Sequence, residues 1–455
     1  MDTIHVPIVI IGAGGTGLAA ALAAADLGAE VLVIERDPTP LGSTAMSTGL
    51  IPAAGTPEQA AGGIDDSPER FTADILAKTK GATDAAMARH IADESAETVA
   101  WLRDTHGVPL ALIGGFLYPG HSAQRMYGTP HRTGGELMAA LESAAERAGV
   151  MVLTEATACD LTRDGDRVTG LSVLRPDGTS EIIICDALIL ACSGFGGAAD
   201  LVARHIPDMA EAVFHGHPGN KGDALRWGEE LGAAVADLGA YQGHGGLAAG
   251  HGVPILWPLI MEGGFQVNAD GLRFSNEAAG YSEQADKVNA QAGHVGWSIF
   301  DHRLHELMLD FDDYREALSA GAVVSAGTVE ELAGAVRLPV AALTATVDGV
   351  AAMTRGEAYD PFGRDFCGKP ELAGPWYAAK VTGALFHTQG GLVVDRDARV
   401  LKADGTSFPN LFAGGGAARG ISGPGADGYL AGNGLLAATT LGKLAGRAAA
   451  RLATG

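Results

Sequence analysis

The chain opens with a short run of β-branched residues that leads directly into a glycine-rich turn. Residues 6–11 have the sequence VPIVII, and a continuous apolar run of this length predicts a strand buried on both faces of a parallel sheet. An alanine-rich stretch to about Leu27 predicts a helix, and residues 30–34 (EVLVI) predict a second strand. The hydrophobic pattern therefore predicts a strand, helix, strand unit at the start of the chain.

The turn inside this unit has the GxGxxG pattern over residues 12–17. Gly12 permits a tight turn, Gly14 allows the backbone to approach a pyrophosphate, and Gly17 allows the helix to pack closely on the strand. The N-terminus of the helix offers free N–H groups to phosphates. Glu35, at the end of the second strand, has the position of an acid that binds an adenosine ribose and disfavours a 2′-phosphate. The unit therefore predicts bound FAD or NAD, and the motif does not separate the two.

Two later segments return the chain to the same predicted sheet. One strand is expected over 182–191 and a further strand and turn over 410–416, and the helix from about 432 to 452 can also point its N-terminus at the cofactor. The pattern loosens between these segments, with more aromatic residues and histidines, which indicates an inserted domain. The predicted boundaries are 1–240 and 383–455 for the two parts of the cofactor-binding domain and 241–382 for the insert.

Composition restricts the partners of the protein. Its 455 residues suit two or three domains, and 31 basic against 54 acidic side chains give a net charge of −23. A nucleic acid or an anionic membrane needs a basic face, so neither is expected as a partner. The 66 glycines indicate many tight turns and close backbone approaches, as around a large cofactor.

The cysteines and the first apolar run bear on location. The four cysteines show no CxxC or metal-finger spacing, so we expect reduced, mostly buried thiols and no metal site. The apolar run at Ile8 to Ile11 is too short to span a bilayer, so we expect a cytoplasmic protein. The cysteines are Cys159, Cys185, Cys192 and Cys367.

Motifs along nearly the whole chain resemble one flavoprotein family. They are the Gly12 turn with Glu35, Gly42-Ser43-Thr44 through Gly49, residues 131–135 (HRTGG), 222–224 (GDA), 267–268 (VN), 273–277 (RFSNE), 386–391 (FHTQGG) and 430–434 (LAGNG). In this order they are similar to the family of fumarate reductases, succinate dehydrogenases and 3-ketosteroid dehydrogenases. The resemblance implies an α/β fold with a Rossmann-like FAD-binding domain, split in sequence, and an inserted α+β capping domain that closes over the substrate.

The resemblance also implies how FAD is held. Members that bind flavin covalently carry a histidine in the segment matching residues 42–45 (GSTA), and this chain has none there, so noncovalent FAD is implied. The FAD contacts it implies are Gly12, Gly14, Gly15, Thr16, Gly17, Glu35, Arg36, Gly42, Ser43, Thr44, Ser47, Gly49, Ala158, Ser193, Gly194, Asp223, Gly391, Gly415, Gly416, Gly434 and Leu435.

Two positions depart from the dicarboxylate-handling members of this family. Those members carry a proton-donating arginine where this chain has Tyr281, and a carboxylate-binding arginine where it has Tyr429. Both positive charges are thus replaced by phenols, which disfavours fumarate or succinate as the substrate. The tyrosine pattern resembles the ketosteroid dehydrogenases, which implies that Tyr281 takes the α-proton of a ketone. It also implies that Tyr429 holds the ketone oxygen, together with a backbone N–H near Gly432 and Asn433.

The other candidate residues have a functional interpretation and, for several of them, a structural alternative. Tyr118 is a candidate second phenol that shares the developing charge, or else a packed aromatic residue. The resemblance places His387 at a family histidine that binds a substrate carboxylate or carbonyl, and His244 near a second one. Glu262 matches a proton-relay acid or stabilises the cap. Arg125 and Arg132 either bind an anion or form ion pairs with acidic residues on the surface.

These features lead to three hypotheses. The first is an FAD-dependent dehydrogenase that introduces a C=C bond α,β to the ketone of a cyclic substrate, either an oxo-cyclohexane carboxylate or a 3-ketosteroid. Tyr281 would remove the α-proton while the β-hydrogen leaves as hydride to flavin, which requires an external electron acceptor. The second is a reductase of an enone or unsaturated acid with Tyr281 as proton donor. The third is a noncatalytic flavin-binding electron carrier.

Overall fold

A computed structural model describes residues 3–115 and 117–454, and it contains helices and strands throughout. The strands are β1 Thr3–Ile11, β2 Val31–Ile34, β3 Ile51–Pro52, β4 Ala111–Leu112, β5 Met126–Gly128, β6 Met151–Leu153, β7 Thr157–Asp164, β8 Arg167–Leu174, β9 Ser180–Leu190, β10 Val213–Phe214, β11 Val235–Ala236, β12 Tyr241–Ala248, β13 Phe265–Val267, β14 Gly296–Asp301, β15 Val323–Ala326, β16 Trp376–Thr388, β17 Gly391–Leu392, β18 Arg399–Leu401 and β19 Ser407–Ala413.

The helices occur within the insert and also in the segments before and after it. They are α1 Gly15–Ala25, α2 Gly42–Ala45, α3 Pro57–Ala61, α4 Pro68–Lys78, α5 Ala85–Ala100, α6 Gly134–Arg147, α7 Ala199–His205, α8 Asp223–Leu231, α9 Pro258–Met261, α10 Gln284–Asn289, α11 His302–Met308, α12 Asp312–Ser319, α13 Val329–Val336, α14 Val340–Thr354 and α15 Asn433–Thr454. Within the described residues, every helix is too short or too polar to cross a bilayer.

The first sheet joins the two ends of the chain. Its parallel strands run in the order β19, β9, β1, β2, β6, with β18 antiparallel at one edge and the β7–β8 hairpin on β9. Strand β1 is fully buried in its centre, where Ile8 pairs with Val31 on one side and Ala187 on the other. Helices α1 and α15 pack together against this sheet. The mixed α/β fold and a cofactor sheet assembled from both ends of the chain are thus as predicted.

The second sheet belongs to the insert, and we call this region the cap. Strand β16 lies at its centre, bonded to β12, β14 and β15 in antiparallel fashion and to the short β10 in parallel. Helices α10 to α14 belong to the same region, and apolar side chains of α11 to α14 contribute to two core clusters there. Strand β10 precedes residue 241 and β16 crosses residue 382, so the strands of this sheet extend beyond the predicted range at both ends.

A small third sheet contains β3, β5 and β4 in that order of pairing, with β5 in the centre. The segment at 117–125 leads into β5 and contains Tyr118 and Arg125.

The cysteines differ from the prediction in burial. All four are free thiols, but Cys159 and Cys367 are exposed, Cys192 is half-buried and Cys185 is buried. The prediction of mostly buried thiols is therefore wrong. Cys159 lies on the hairpin strand β7 and Cys367 in a cap loop after α14, where the backbone meets solvent.

Candidate active site

An extended cleft with about 1850 Å³ of empty space lies between the first sheet and the cap. It has two parts that we name by their position. The dinucleotide end is formed around Gly12, Glu35, Arg36 and Asp223, and the cap end is formed by Tyr118, His244, Trp257, Tyr281, His387 and Tyr429. The predicted FAD contacts on its wall are Gly12, Gly14, Gly15, Thr16, Glu35, Arg36, Gly42, Ser43, Thr44, Ser47, Ala158, Ser193, Asp223, Gly415, Gly416, Gly434 and Leu435.

The glycine turn has the shape that a pyrophosphate requires. Gly12 has φ +102°, and a Cβ there would lie 2.6 Å from the Ala191 carbonyl oxygen. A Cβ at Gly17 would lie 1.8 Å from the Gly12 oxygen, so this glycine allows α1 to touch the turn. At Gly14 the nearest atom to an added Cβ is the Thr44 Oγ1 at 3.9 Å, so this backbone faces open space in the cleft. The turn therefore fits the close approach of a dinucleotide phosphate.

The acid after β2 is held in place by backbone groups. The Glu35 carboxylate accepts a hydrogen bond from the Ala13 N–H at 2.9 Å and another from the Asp37 N–H at 3.0 Å. Each of its oxygens retains a lone pair that can accept a ribose hydroxyl. Arg36 is bound to Asp223 at 2.9 Å across the same end of the cleft. These residues fit the adenosine half of FAD.

Five predicted contacts do not lie on the cleft wall, and they are Gly17, Gly49, Gly194, Gly391 and Asn433. A Cβ at each of the four glycines would lie within 2.7 Å of a neighbouring oxygen, so these glycines serve close packing behind the wall. The Asn433 side chain is buried at the start of α15, and within the described residues neither atom of its amide has a hydrogen-bond partner.

The predicted tyrosines and histidines meet at the cap end. The Tyr281 and Tyr429 rings are 6.1 Å apart at 65°, and their hydroxyl groups are hydrogen-bonded to each other. The His244 ring lies 5.3 Å from Tyr281, and the His387 ring lies 5.9 Å from Tyr429. Tyr118 lines the same part of the cleft. The structure thus brings together all five residues, although they come from separate segments of the chain.

The phenols of the cap end are neutral at ordinary pH. Burial raises the pKa of Tyr281 well above its usual value, and the neighbouring Tyr429 and Tyr118 raise it further. Burial also raises the pKa of Tyr429, although the backbone N–H groups of Gly434 and Gly432 and the Tyr281 hydroxyl oppose this. Burial raises the pKa of Tyr118 to about 12. A neutral phenol can donate a proton, whereas a base would need a lowered pKa.

Both histidines of the cap end are also neutral. Burial lowers the pKa of His244 to about 3 and that of His387 to about 4. The His244 Nδ1 accepts a hydrogen bond from the Gly246 N–H at 3.0 Å, so the proton of the neutral ring is on Nε2. The His387 Nδ1 lies 2.8 Å from the side-chain nitrogen of Gln389. Each ring can therefore bind a polar substrate group without a charge.

The sequence analysis missed several residues on the cleft wall, and these include His215, Trp257, Asp313 and Phe386. Trp257 lies in an apolar segment at 253–258 (VPILWP), which stands out from the histidine-rich insert around it. This difference in composition could have indicated a buried apolar surface. Asp313 has no comparable signal, since it stands beside Asp312 in a polar helix. Burial raises the pKa of the Asp313 carboxyl, which within the described part of the chain has no hydrogen bond or ion pair.

Charged candidates outside the cleft wall have structural partners. Glu262 is paired with Lys369 at 3.0 Å on the cap, which agrees with a stabilising role. Arg125 is fully buried and bound to two aspartates, so it is not placed to meet a substrate anion. Arg132 is exposed, and its charge opposes the rise in the pKa of Tyr118. Among the described residues on the cleft wall, the cationic side chain is Arg36, at the dinucleotide end.

Comparison with known proteins bears on this geometry. The family model for the FAD binding domain matches residues 7–435. The chain belongs to this FAD binding domain family. Since the family binds FAD and its relatives are oxidoreductases, the protein is an FAD-dependent oxidoreductase, and the predicted fold, cofactor and relationship are confirmed.

Relatives within the FAD binding domain family have different activities. The chain is 29% identical to a fumarate reductase (cytochrome) of Shewanella frigidimarina, with 98% of this chain and 77% of the relative aligned. It is 30% identical to a 4-oxocyclohex-2-ene-1-carboxylate 5-dehydrogenase of Sinomonas cyclohexanicum, over 70% of this chain and 60% of the relative.

A solved structure also resembles this FAD binding domain protein over nearly its full length. It is the 3-ketosteroid-Δ4-(5α)-dehydrogenase of Rhodococcus jostii RHA1 in complex with 4-androstene-3,17-dione, with a TM-score of 0.77 and 25% identity. The match covers 98% of this chain and 97% of the other.

Proposed function

We propose that the protein is a dehydrogenase that introduces a C=C bond α,β to the ketone of a cyclic substrate. The observation that carries this proposal is the hydrogen-bonded pair of Tyr281 and Tyr429 at the cap end. It lies beside the Gly432 backbone N–H, in a wall whose described residues present no cation there. Such a site suits a carbonyl oxygen better than a dicarboxylate, because a carboxylate held without a cation remains uncompensated.

The residues divide the work of the reaction between them. The Tyr429 hydroxyl and the Gly432 N–H hold the ketone oxygen, where negative charge develops as the α-proton leaves. Tyr281 exchanges that proton, and Tyr118 lines the same part of the cleft. The glycine turn, Glu35 and Arg36 would hold noncovalently bound FAD, which would supply the hydride acceptor for the β-hydrogen. An external acceptor must then remove the electrons.

The cap end also favours a mainly neutral substrate. Trp257 and Phe386 supply apolar surface, while His244 and His387 are neutral. The unpaired Asp313 opposes a carboxylate near it. Relatives that act on a cyclic oxo acid and on a 3-ketosteroid support a cyclic ketone as the substrate class.

A ketone panel tests this function. The FAD-loaded protein would be mixed anaerobically with 4-oxocyclohexanecarboxylate, with 4-androstene-3,17-dione and with succinate, and the flavin absorbance followed by stopped flow. We expect at least one ketone to bleach the flavin and succinate to leave it unchanged. Bleaching by succinate alone contradicts the proposal. A flavin that no compound bleaches or perturbs would favour the noncatalytic carrier.

The raised pKa of Tyr281 supports a second candidate, which is the reverse reaction. A neutral phenol is ready to donate a proton to the α-carbon of an enone, and a fumarate reductase is among the relatives. In this case chemically reduced enzyme would be reoxidised rapidly by a cyclic enone, while the oxidised enzyme would react slowly with the saturated ketone. The ratio of the two rates decides the direction.

A further inference from the structure

A buried series of hydrogen bonds connects the segment at 117–125 to the turn that follows Tyr429. Arg125 binds both oxygens of Asp66 at 2.8 and 2.9 Å, and it binds Asp74 at 2.5 Å. The same guanidinium lies 3.1 Å from the Nδ1 of His121, whose Nε2 lies 3.0 Å from the Ala431 carbonyl oxygen. Arg125 is fully buried and His121 is 7% exposed, so this series of hydrogen bonds is shielded from water.

The chemistry of the donors fixes the proton on His121. An arginine can only donate, so the His121 Nδ1 must accept, and the neutral ring carries its proton on Nε2. That Nε2–H then donates to the Ala431 carbonyl. Burial and the charge of Arg125 lower the pKa of His121 to about 4, while the Ala431 carbonyl and the charges of Asp74 and Asp66 oppose the shift. The ring therefore stays neutral, with one tautomer, across the physiological range.

The bond to Ala431 fixes a second group. The carbonyl of Ala431 and the N–H of Gly432 belong to one planar peptide unit, in which they point in opposite directions when the peptide is trans. Holding the carbonyl toward His121 thus turns the N–H away from it, and this N–H interacts with the Tyr429 hydroxyl in the cleft. We infer that His121 is a positioning residue that aims the Gly432 N–H at the ketone oxygen.

The packing of the loop gives this inference independent support. Gly120 has φ +82°, and a Cβ there would lie 2.7 Å from the Leu430 Cδ1, so the loop and the turn are in direct contact. The His121 N–H donates to the Tyr118 carbonyl at 3.1 Å, which places Tyr118 and His121 in one tight turn. One anchored loop therefore sets both the donor turn and the second phenol.

The inference rests on the proposed function, and its first test is a comparison of His121→Leu with His121→Gln. Leucine removes the donor, whereas the glutamine amide can still donate to the Ala431 carbonyl. We expect His121→Leu to lower kcat for the ketone about 10- to 100-fold with KM nearly unchanged, because an oxyanion donor acts chiefly in the transition state. We expect His121→Gln to recover kcat to within about fivefold of the wild type.

His106→Leu is the matched control. This histidine is also buried, lies 3.2 Å from an Asp26 oxygen and packs on Trp101. It is not on the cleft wall, so its loss should leave kcat unchanged while it affects stability. If His121→Leu retains normal kcat, or if His106→Leu lowers kcat as much, the positioning role is overturned.

A second measurement does not depend on turnover. ¹⁵N-histidine NMR of the wild-type holoenzyme, with His121→Gln used for assignment, should show a neutral Nε2–H ring that does not titrate between pH 5.5 and 9. A titrating ring or an Nδ1–H tautomer overturns the inference even if the ketone reacts. Conversely, a wild type that oxidises or reduces no ketone refutes the proposed function, and the NMR result then shows separately whether the His121 anchor exists.

Discussion

The two ends of the cleft solve different binding problems with different groups. The dinucleotide end relies on backbone and charge, with the turn at 12–17, the Glu35 carboxylate and the ion pair of Arg36 with Asp223. The cap end consists of tyrosine and histidine rings that contact one another. These rings are neutral because they are buried. Phosphates and ribose need fixed donors and acceptors, while a ketone needs donors that become effective only as charge develops. Changes at the first end should therefore affect cofactor affinity, and changes at the second should affect rate.

The largest expected effect is at Tyr281. Tyr281→Phe removes the group that exchanges the α-proton, so the rate of flavin reduction by the ketone should fall by about 10²- to 10⁴-fold. FAD content should stay at the wild-type level, since this tyrosine lies at the cap end. Anaerobic stopped flow gives the rate, and absorbance of the purified protein gives the FAD content.

Tyr377→Phe is a suitable control for this variant. Its hydroxyl lies 3.1 Å from the His302 Nδ1 on the outside of the cap, away from the cleft wall. Equal losses of rate in both variants would show that the cap was disturbed generally, and the comparison of the two ends would then fail.

The pH dependence comes next in size. Dehydrogenation needs Tyr281 as a phenolate, and burial holds its pKa well above the usual value. The rate of flavin reduction should thus rise about tenfold per pH unit between pH 7 and 9, because the fraction of phenolate rises by that factor. Reduction of an enone uses the neutral phenol and should be level over the same range. A level profile for the oxidative reaction, or a slope that persists in Tyr281→Phe, contradicts the assignment.

A smaller effect is expected at the dinucleotide end. Gly12→Ala forces a side chain into a position with φ +102° and 2.6 Å from a carbonyl oxygen, which costs about 1–3 kcal/mol in strain. We expect roughly tenfold weaker FAD binding in an equilibrium titration of apoprotein, since about 1.4 kcal/mol corresponds to a factor of ten. Once saturated with FAD, this variant should keep most of its rate.

Gly28→Ala is the control for Gly12→Ala, because it also places alanine at a positive φ but without a steric overlap. Gly28 has φ +74°, and an added Cβ there would meet no atom within 4 Å. This variant should lower the melting temperature modestly and leave FAD affinity unchanged. If both alanine variants bind FAD equally well, the Gly12 turn does not define the dinucleotide end.

The smallest effect concerns the charge on the cap wall. Asp313→Asn removes an unpaired carboxylate, so kcat/KM for an oxo acid should rise about fivefold relative to that for a neutral ketone. Asp312→Asn is the control, because that neighbour is exposed and forms an ion pair with Arg315. Equal ratios in both variants would mean that Asp313 does not face the substrate.

The two ends of the cleft differ in how a sequence pattern can locate their residues, and the reason is physical. The turn at 12–17 and Glu35 interact through local backbone geometry, which a motif records at fixed spacing. The cap end depends on contacts between distant segments. Residue type and flanking motifs located Tyr281 and Tyr429, but the burial that keeps both phenols neutral arises only when the cap packs over the first sheet.

The contacts of residues outside any motif could not be predicted from the sequence. Arg125 was equally suited to an anion or to acidic partners, and only the fold brings Asp66 and Asp74 around it. Asp313 has the same appearance in sequence as its exposed neighbour Asp312. The extent of the cap sheet was also hidden, because β10 is two residues long and pairs with a strand far along the chain.

Strand β16 has a consequence for how the cleft can open and close. It is the central strand of the cap sheet, yet its last residues include His387, which lines the cap end. If the cap sheet moved as one body, His387 would move with it, because His387 belongs to β16. At Gly390 and Gly391 the chain lies too close to neighbouring carbonyl oxygens to admit a side chain. Such a movement of the cap sheet would change the contact between the His387 and Tyr429 rings, since Tyr429 lies outside the cap sheet.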